Sequence, residues 1–126
     1  MRVFTVRAFD RFMKRERLTD TELCDAVAAA ERGLVDADLG GGVIKLRVAR
    51  RGQGKRGGFR VLLAYRVGER AIFLYGIAKK DRDNIDADEL AVLRSRAAEL
   101  LGANNDGIEA MIADDELREV YCDSET

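Results

Sequence analysis

Residues 43–79 contain three consecutive strand-like segments, which restrict the possible folds more than any other feature of the chain. In 43–49 and 59–67, apolar and basic side chains alternate, as in a strand with one buried face. The third segment, 71–79, is apolar on both faces and is typical of a central strand. Because the connections are short, antiparallel pairing is expected. The chain is therefore predicted to fold around a three-strand meander.

Helical patterns precede the meander. A short strand is predicted for residues 1–6 and a short helix near 8–15, where apolar residues recur at helical spacing. Thr19 with Glu22 three residues later forms a capping box, which predicts the start of a second helix. Glycines and short acidic side chains predict a loop over residues 35–42.

Two further helices are predicted after the meander. Asp86 and Glu89 form a second capping box at the start of a helix that reaches Leu101. A short helix near 106–113 and an extended piece at 117–121 complete the chain. The predicted fold is α+β, a compact domain with N-terminal helices packed on an antiparallel sheet. The sheet consists of the short N-terminal strand and the meander, and helices follow it.

The charges are divided unevenly along the chain, although the formal net charge is only −1. Residues 1–102 carry +6 and residues 103–126 carry −7, so a domain in 1–102 and an acidic C-terminal extension in 103–126 are predicted. Within the domain, 43–70 contains nine basic residues and one acid. A charged sheet face can protect against edge aggregation. Like charges on adjacent strands repel, however, and a polyanion would relieve that repulsion, so we favour a phosphate-binding surface.

Residue types that the chain lacks exclude several kinds of site. Histidine is absent, which removes the commonest general base, most zinc sites and histidine-based catalytic triads. No metal and no cofactor is expected. Cys24 and Cys122 are expected to be reduced, with Cys24 partly buried beside a helix. We find neither a signal-peptide pattern nor the run of about 20 apolar residues that a membrane span needs, so a cytoplasmic protein without a membrane partner is expected.

The connection between the first two segments of the meander has the sequence RRGQGKRGG. It contains the glycine spacing of a dinucleotide-binding loop, but a strand follows it where that motif requires a helix. It also fails the Walker A pattern, because Arg56 stands where a Ser or Thr would bind magnesium. Two compatible interpretations stay open. The loop is a flexible hairpin connection, and its glycines let the backbone approach phosphates that the neighbouring basic residues neutralise.

Taken together, KLRVARRGQGKRGGFRVLLAY, the later YGIAKKDRDNI and the amphipathic helix after it resemble the RelE/HigB-type toxins of bacterial type II toxin–antitoxin modules, closest to the HigB branch. The resemblance covers about residues 1–102. It implies a compact fold with N-terminal helices on an antiparallel sheet. It also implies an mRNA interferase that cleaves mRNA on the ribosome, inhibits translation and is neutralised by a cognate antitoxin, expected to be a helix-turn-helix protein. Cleavage would proceed by 2′-hydroxyl attack on the adjacent phosphate without a metal.

The resemblance also suggests which residues act. Arg60 matches the arginine after the glycine pair and Lys79 matches the later lysine, so both are predicted to be catalytic. The family often has an aromatic two residues before that lysine, where this chain has Ile77, and Tyr75 is a candidate substitute or a core aromatic. The general acid and base stay unassigned, and a lysine with a lowered pKa could serve as either. The predicted RNA-binding residues are Lys45, Arg47, Arg50, Arg51, Lys55, Arg56, Arg66 and Lys80.

Other interpretations stay open at this point. A non-catalytic inhibitor like the ParE toxins, which act on DNA gyrase, and a nucleic-acid-binding module without catalysis would share the fold. The acidic extension is either a solvated appendage or a segment that folds over the basic face and weakens RNA binding. The residues that would make that contact are Asp114, Asp115, Glu116 and Glu119.

Overall fold

The computed structural model describes residues 1–49, 58–77 and 85–122. Within these ranges the chain forms six strands and four helices. In chain order they are β1 (Arg2–Val6), α1 (Arg7–Glu16), α2 (Asp20–Glu31), β2 (Ala37–Gly40), β3 (Val43–Val48), β4 (Phe59–Arg66), β5 (Arg70–Ile77), α3 (Ala87–Gly102), α4 (Asn105–Ala113) and β6 (Leu117–Val120). The predicted α+β class is confirmed. None of the helices in these ranges has the length and apolar character that crossing a membrane requires.

The six strands form one mixed sheet in the order β2-β3-β4-β5-β1-β6. The predicted antiparallel meander is confirmed as β3, β4 and β5. The predicted N-terminal strand is confirmed as β1, but it lies parallel to β5, so the sheet is not purely antiparallel. The prediction of a loop over 35–42 is wrong, because β2 forms within it and pairs with β3. Gly40, Gly41 and Gly42 all have positive φ and make the tight turn that allows this pairing.

Both predicted capping boxes are confirmed and explain where the two long helices begin. The Thr19 hydroxyl accepts from the Glu22 amide, and the Glu22 carboxylate accepts from the Thr19 amide at 2.9 Å. Asp86 and Glu89 make the same reciprocal pair at the start of α3. Each box satisfies backbone donors that the first helical turn leaves without a partner.

Helices cover the sheet on both faces, so there are two cores. On one face, α1 and α2 pack on the sheet through a first core that includes Phe9, Phe12, Leu23, Val27, Leu46 and Phe73. On the other face, α3 and α4 pack on a second core that includes Phe4, Val43, Leu62, Ile72, Leu100 and Ile108. The approach of α1 to β5 requires glycine at one point, because a Cβ at Gly76 would overlap the Phe12 ring.

The expectation of two reduced cysteines is wrong, because Cys24 and Cys122 form a disulfide. Their Cα atoms lie 5.6 Å apart although 98 positions separate them in the sequence. The physical reason is the position of β6. It pairs with β1 at the edge of the sheet and so brings the end of the chain to α2.

The described part of the acidic C-terminal segment, residues 103–122, does not cover the basic strands. β6 lies at the opposite edge of the sheet from β3, separated from it by β4, β5 and β1. Glu119 accepts hydrogen bonds from Arg2, and Glu116 lies 3.8 Å from Arg96. For residues 103–122, the hypothesis that the segment folds over the basic face is therefore wrong. The boundary at Gly102 stays a prediction, although α4 and β6 contribute to the second core and to the same sheet.

Candidate functional site

The register of the meander places four of the predicted site residues on one face of the sheet. Arg47 on β3 lies directly opposite Arg60 on β4, and Lys45 lies opposite Leu62. Tyr75 on β5 also lies opposite Leu62. Residues directly opposite each other in a sheet project to the same face, so Lys45, Arg47, Arg60 and Tyr75 share one face. Together they form a cluster at the end of the sheet where β3 and β5 finish and β4 begins, which we call the cationic cluster.

The cationic cluster lies on the sheet face that carries the second core, because Leu62 of that core is the residue between Lys45 and Tyr75. The side chain of Arg60 is 35% exposed and that of Lys45 is 17% exposed, while Arg47 is exposed. The apolar core therefore supports the cluster from one side, and its charged groups reach solvent on the other.

Asp36 belongs to this cluster and was not predicted from the sequence. Its Oδ2 lies 3.2 Å from Arg60 Nε and 3.9 Å from Lys45 Nζ. Its own amide donates to the Lys45 carbonyl at 2.9 Å, so its backbone is held beside β3. The proximity of Asp36 to a strand that pairs with β3 could indicate this contact, but the glycines and short acidic side chains of 35–42 predict a loop instead.

The charge of the cluster favours an anionic ligand. Lys45, Arg47 and Arg60 carry three positive charges and Asp36 carries one negative charge. Arginine donates from a planar fork that matches the oxygens of a phosphate, and lysine adds a compact point charge. Arg47 and Arg60 lie directly opposite each other on adjacent strands, and like charges repel at this distance. The arrangement is therefore suited to holding one phosphate group, or two adjacent ones.

Tyr75 lies at the inner border of the cationic cluster. It is half-buried and packs partly against the second core, so its ring is in part a core aromatic. Leu62 separates it from Lys45, which places Tyr75 at the border of the site. Ile77 lies opposite Arg60 and is buried, so it contributes an aliphatic surface where the family often has an aromatic.

Arg66 does not lie in the cationic cluster. It is six residues from Arg60 on β4, which corresponds to about 20 Å along a strand. Its Nη1 donates to the Leu101 carbonyl at 3.0 Å, and Arg70 donates to the carbonyls of Leu100 and Ala103 at 2.7 and 2.9 Å. Both arginines thus satisfy the C-terminal end of α3, where a positive charge is favourable. Part of the basic segment therefore has a structural purpose that the charge pattern alone did not indicate.

The surroundings of Arg70 differ from those of an arginine in solution. Burial lowers the pKa of Arg70, and the neighbouring charges of Arg2 and Arg66 act in the same direction. Its hydrogen bonds to helix carbonyls keep its charge satisfied in this crowded position. Arg70 therefore serves the packing of α3 against the sheet.

Six of the predicted site residues lie outside the described part of the chain. Those on the connection from β3 to β4 are Arg50, Arg51, Lys55 and Arg56. Lys79 and Lys80 follow Ile77 by two and three residues and also lie outside it. Among residues 1–49, 58–77 and 85–122, no group of three or more potential metal-ligating side chains is found.

Comparison with known protein families gives a match that covers most of the chain. The family model described as the RelE toxin of the RelE/RelB toxin–antitoxin system matches residues 1–120. The match includes α4 and β6, whereas the motifs that carry the resemblance end near residue 102. No curated protein matches the chain. Since the family model spans nearly the whole sequence, this chain belongs to the RelE toxin family, the toxins of RelE/RelB toxin–antitoxin systems.

Proposed function

We propose that this RelE-family toxin is a ribosome-dependent mRNA endonuclease that inhibits translation. RelE toxins are generally endoribonucleases, which supports an enzymatic activity of this class. The observation that carries the proposal is the placement of Lys45, Arg47 and Arg60 side by side at one end of the sheet. An excess of positive charge on a supported, solvent-facing surface is what binding the RNA backbone requires.

The proposed reaction is attack of a ribose 2′-hydroxyl on the adjacent phosphorus. The 2′-oxygen–phosphorus bond forms and the phosphorus–5′-oxygen bond breaks, giving a 2′,3′-cyclic phosphate and a 5′-hydroxyl. Arg60 stabilises the additional negative charge on the phosphate oxygens in the transition state, because arginine stays charged and can donate two parallel hydrogen bonds. Lys45 and Arg47 hold the phosphates and align the chain. Lys79 and Tyr75 are proposed for the two proton transfers, in either order.

The remaining proposals, on further RNA-binding residues, location and partners, follow from the family and from charge. The other proposed RNA-binding residues are Arg50, Arg51, Lys55, Arg56 and Lys80. We retain Arg66 as a proposed RNA-binding residue, although it donates to a helix carbonyl away from the cationic cluster.

We also propose a cytoplasmic location, a place in the HigB branch, and an antitoxin of the helix-turn-helix type that presents acidic residues to the basic face.

The test is induction of the toxin in a bacterium, with mRNA ends mapped for the wild type, Arg60→Ala and a control. Removing one donor to a transition-state oxyanion costs about 10²- to 10³-fold in rate, so Arg60→Ala should lose the new mRNA ends and the growth arrest. The control is Arg32→Ala, which removes an exposed arginine at the end of α2 on the other face of the sheet. It should cleave like the wild type.

One observation favours a second candidate. Ile77 presents no polar group opposite Arg60, so a nucleic-acid-binding or ParE-like inhibitor without catalysis is the alternative. Growth arrest without new mRNA ends would favour a ParE-like inhibitor. Absence of arrest would favour a binding module, and either result would reject the nuclease proposal.

A further inference from the structure

The carboxylate of Asp36 lies between two cations to which the proposed function assigns RNA binding and catalysis. We propose that Asp36 is a positioning residue that orients the guanidinium of Arg60 toward the scissile phosphate. The inference rests on the proposed function and adds to it a residue outside the predicted set. Three features of the structure support it: the anchored backbone of Asp36, the side of Arg60 that it binds, and the charge that it places in the cationic cluster.

The backbone of Asp36 is fixed to the strand that carries Lys45. Its amide donates to the Lys45 carbonyl at 2.9 Å, which extends the β2–β3 pairing by one residue. Just before it, the Leu34 amide donates to the Ala29 carbonyl, and the Val35 amide donates to that of Gly33. The exit from α2 therefore places Asp36 at a defined point beside β3. A carboxylate on such a backbone can hold a neighbouring side chain in one orientation.

Asp36 binds Arg60 through a nitrogen that leaves the end of the guanidinium accessible. The contact is from Arg60 Nε to Asp36 Oδ2 at 3.2 Å. Within the described ranges Arg60 has no other polar partner, so its two terminal amino groups remain available to a ligand. Since the guanidinium is planar, holding Nε sets the direction of those amino groups. They can then donate in parallel to two oxygens of a phosphate.

The charge of Asp36 has two opposite effects on RNA. It lowers the repulsion between Lys45, Arg47 and Arg60 before RNA binds, which keeps these side chains together. It also repels the phosphate that the same cations attract, so it weakens ground-state binding. If Asp36 acted only by increasing RNA affinity, removing its charge would raise KM and leave kcat unchanged. Removing the charge of Asp36 should therefore lower kcat without raising KM.

The experiment measures kcat and KM for cleavage of mRNA on ribosomes by the full chain and three variants. Asp36→Asn should lower kcat by roughly 10- to 100-fold, the effect of misplacing a catalytic group by about 1 Å, with KM equal to or below that of the wild type. Asp36→Glu keeps the charge on a longer side chain and should restore part of the lost kcat. The matched control is Asp38→Asn, which removes the same charge two positions later in the sequence, on β2. Asp38 accepts from the Gly40 amide and, in the described ranges, contacts none of the cluster cations, so this variant should match the wild type.

Thermal unfolding of each variant separates a local effect from misfolding. The Asp36 side chain is 35% exposed, and the hydrogen bond from its backbone amide to the Lys45 carbonyl does not involve the carboxylate. The midpoints should therefore agree within a few degrees. Should Asp36→Asn not fold at the assay temperature, Asp36→Glu decides, since a shifted carboxylate should still lower kcat relative to Asp38→Asn. Equal kcat for Asp36→Asn and Asp38→Asn, or a rise in KM alone, would overturn the positioning role while leaving the nuclease intact. A wild type that cleaves no mRNA would overturn the proposed function, and this inference with it.

Discussion

At the β6 edge of the sheet, Arg118 donates to the carboxylates of both Asp10 and Asp20. In the cationic cluster, by contrast, Arg60 contacts one carboxylate and faces Arg47. Acidic side chains thus outnumber arginine around Arg118, whereas basic side chains outnumber acidic ones around Arg60. The comparison shows that a net charge of −1 is the sum of two surfaces with different purposes. One holds the end of the chain to the sheet, and the other is the surface for which we propose RNA binding.

The arginines of the β6 edge have their hydrogen-bonding capacity taken up by carboxylates. Hydrogen bonds from Arg118 to Asp20 and Asp10 raise its pKa further above its ordinary value, although burial opposes them. Arg2 is bound by Glu119 at 2.8 Å and by Glu109 at 2.9 Å, which raises its pKa in the same way. Both pairings connect the C-terminal segment to β1, α1 and α2. The Arg2 pairs also give Glu109 and Glu119, two acids of that segment, a structural role.

The largest expected effect concerns the disulfide that reinforces this edge. Replacing Cys24 and Cys122 by serine opens a connection that spans 98 positions, and chain-entropy arguments give such a link about 4–5 kcal/mol of unfolding free energy. Equilibrium denaturation of the oxidised wild type and the double variant should show this difference. Cleavage per folded molecule should not change, because Cys24 packs on the sheet face opposite the cationic cluster.

Reductant provides the control for this prediction. It should lower the denaturation midpoint of the wild type to that of the serine variant and leave the variant itself unchanged. A wild type that responds no more than the variant would show that the two cysteines are not joined in solution. The β6 edge would then depend on its ion pairs and strand pairing alone.

The second prediction compares the two kinds of arginine directly. Arg118→Ala leaves Asp10 and Asp20 without their shared partner and should lower the unfolding free energy by about 1–2 kcal/mol, a value reduced because the side chain is 41% exposed. Arg60→Ala should change it by less than about 1 kcal/mol, since it breaks one exposed pair and relieves repulsion with Arg47. Urea denaturation measures both, and cleavage should show the reverse order of effects.

The outcome that would contradict this comparison is equally specific. If Arg60→Ala destabilised the fold as much as Arg118→Ala, the cationic cluster would be a structural network like the one at the β6 edge. If Arg118→Ala reduced kcat per folded molecule, the β6 edge would take part in the reaction.

The parts of the fold that could be predicted are those with a local signal. The capping boxes at Thr19 and Asp86 join residues three positions apart, and alternation of side chains defines β3 and β4 within each strand. Four-residue β2 has too short a pattern to recognise, and its pairing depends on a tight glycine turn. The parallel pairing of β1 with β5 and the disulfide depend on contacts between distant segments. Periodicity carries no information about such contacts.

The site could be predicted in part for the same reason. Alternation places Lys45, Arg47 and Arg60 on one face, and the register of the meander brings them together. Alternation could not separate Arg66 from them, because it shares the face of Arg60 but lies at the end of the strand beside α3. Asp36 lies 24 positions before Arg60, and its contact depends on the exit from α2.

The smallest expected effect is a pH dependence at the β6 edge. Hydrogen bonds from Arg2 lower the pKa of Glu119 below its ordinary value near 4.5, although burial opposes them. The unfolded chain therefore takes up this proton at higher pH than the folded one, so the contribution of Glu119 is complete above about pH 4.5 and is lost as the pH falls through the lower folded value. In Glu119→Gln this contribution is absent at every pH. The gap in thermal midpoint between wild type and variant should thus narrow as the pH is lowered from about 6 to about 3.

Arg2→Gln tests the cause of this pH dependence, because it removes the donor and keeps the carboxylate. Against this variant, too, the stability gap should narrow in acid, since the pKa of Glu119 returns toward its ordinary value once the hydrogen bonds are lost. A gap that stays constant for both variants would mean that the Arg2–Glu119 contact does not stabilise the pairing of β6 with β1. The β6 edge and the cationic cluster would then differ in where their acids lie but not in how much those acids contribute to the free energy of unfolding. The disulfide and the backbone pairing alone would hold the end of the chain.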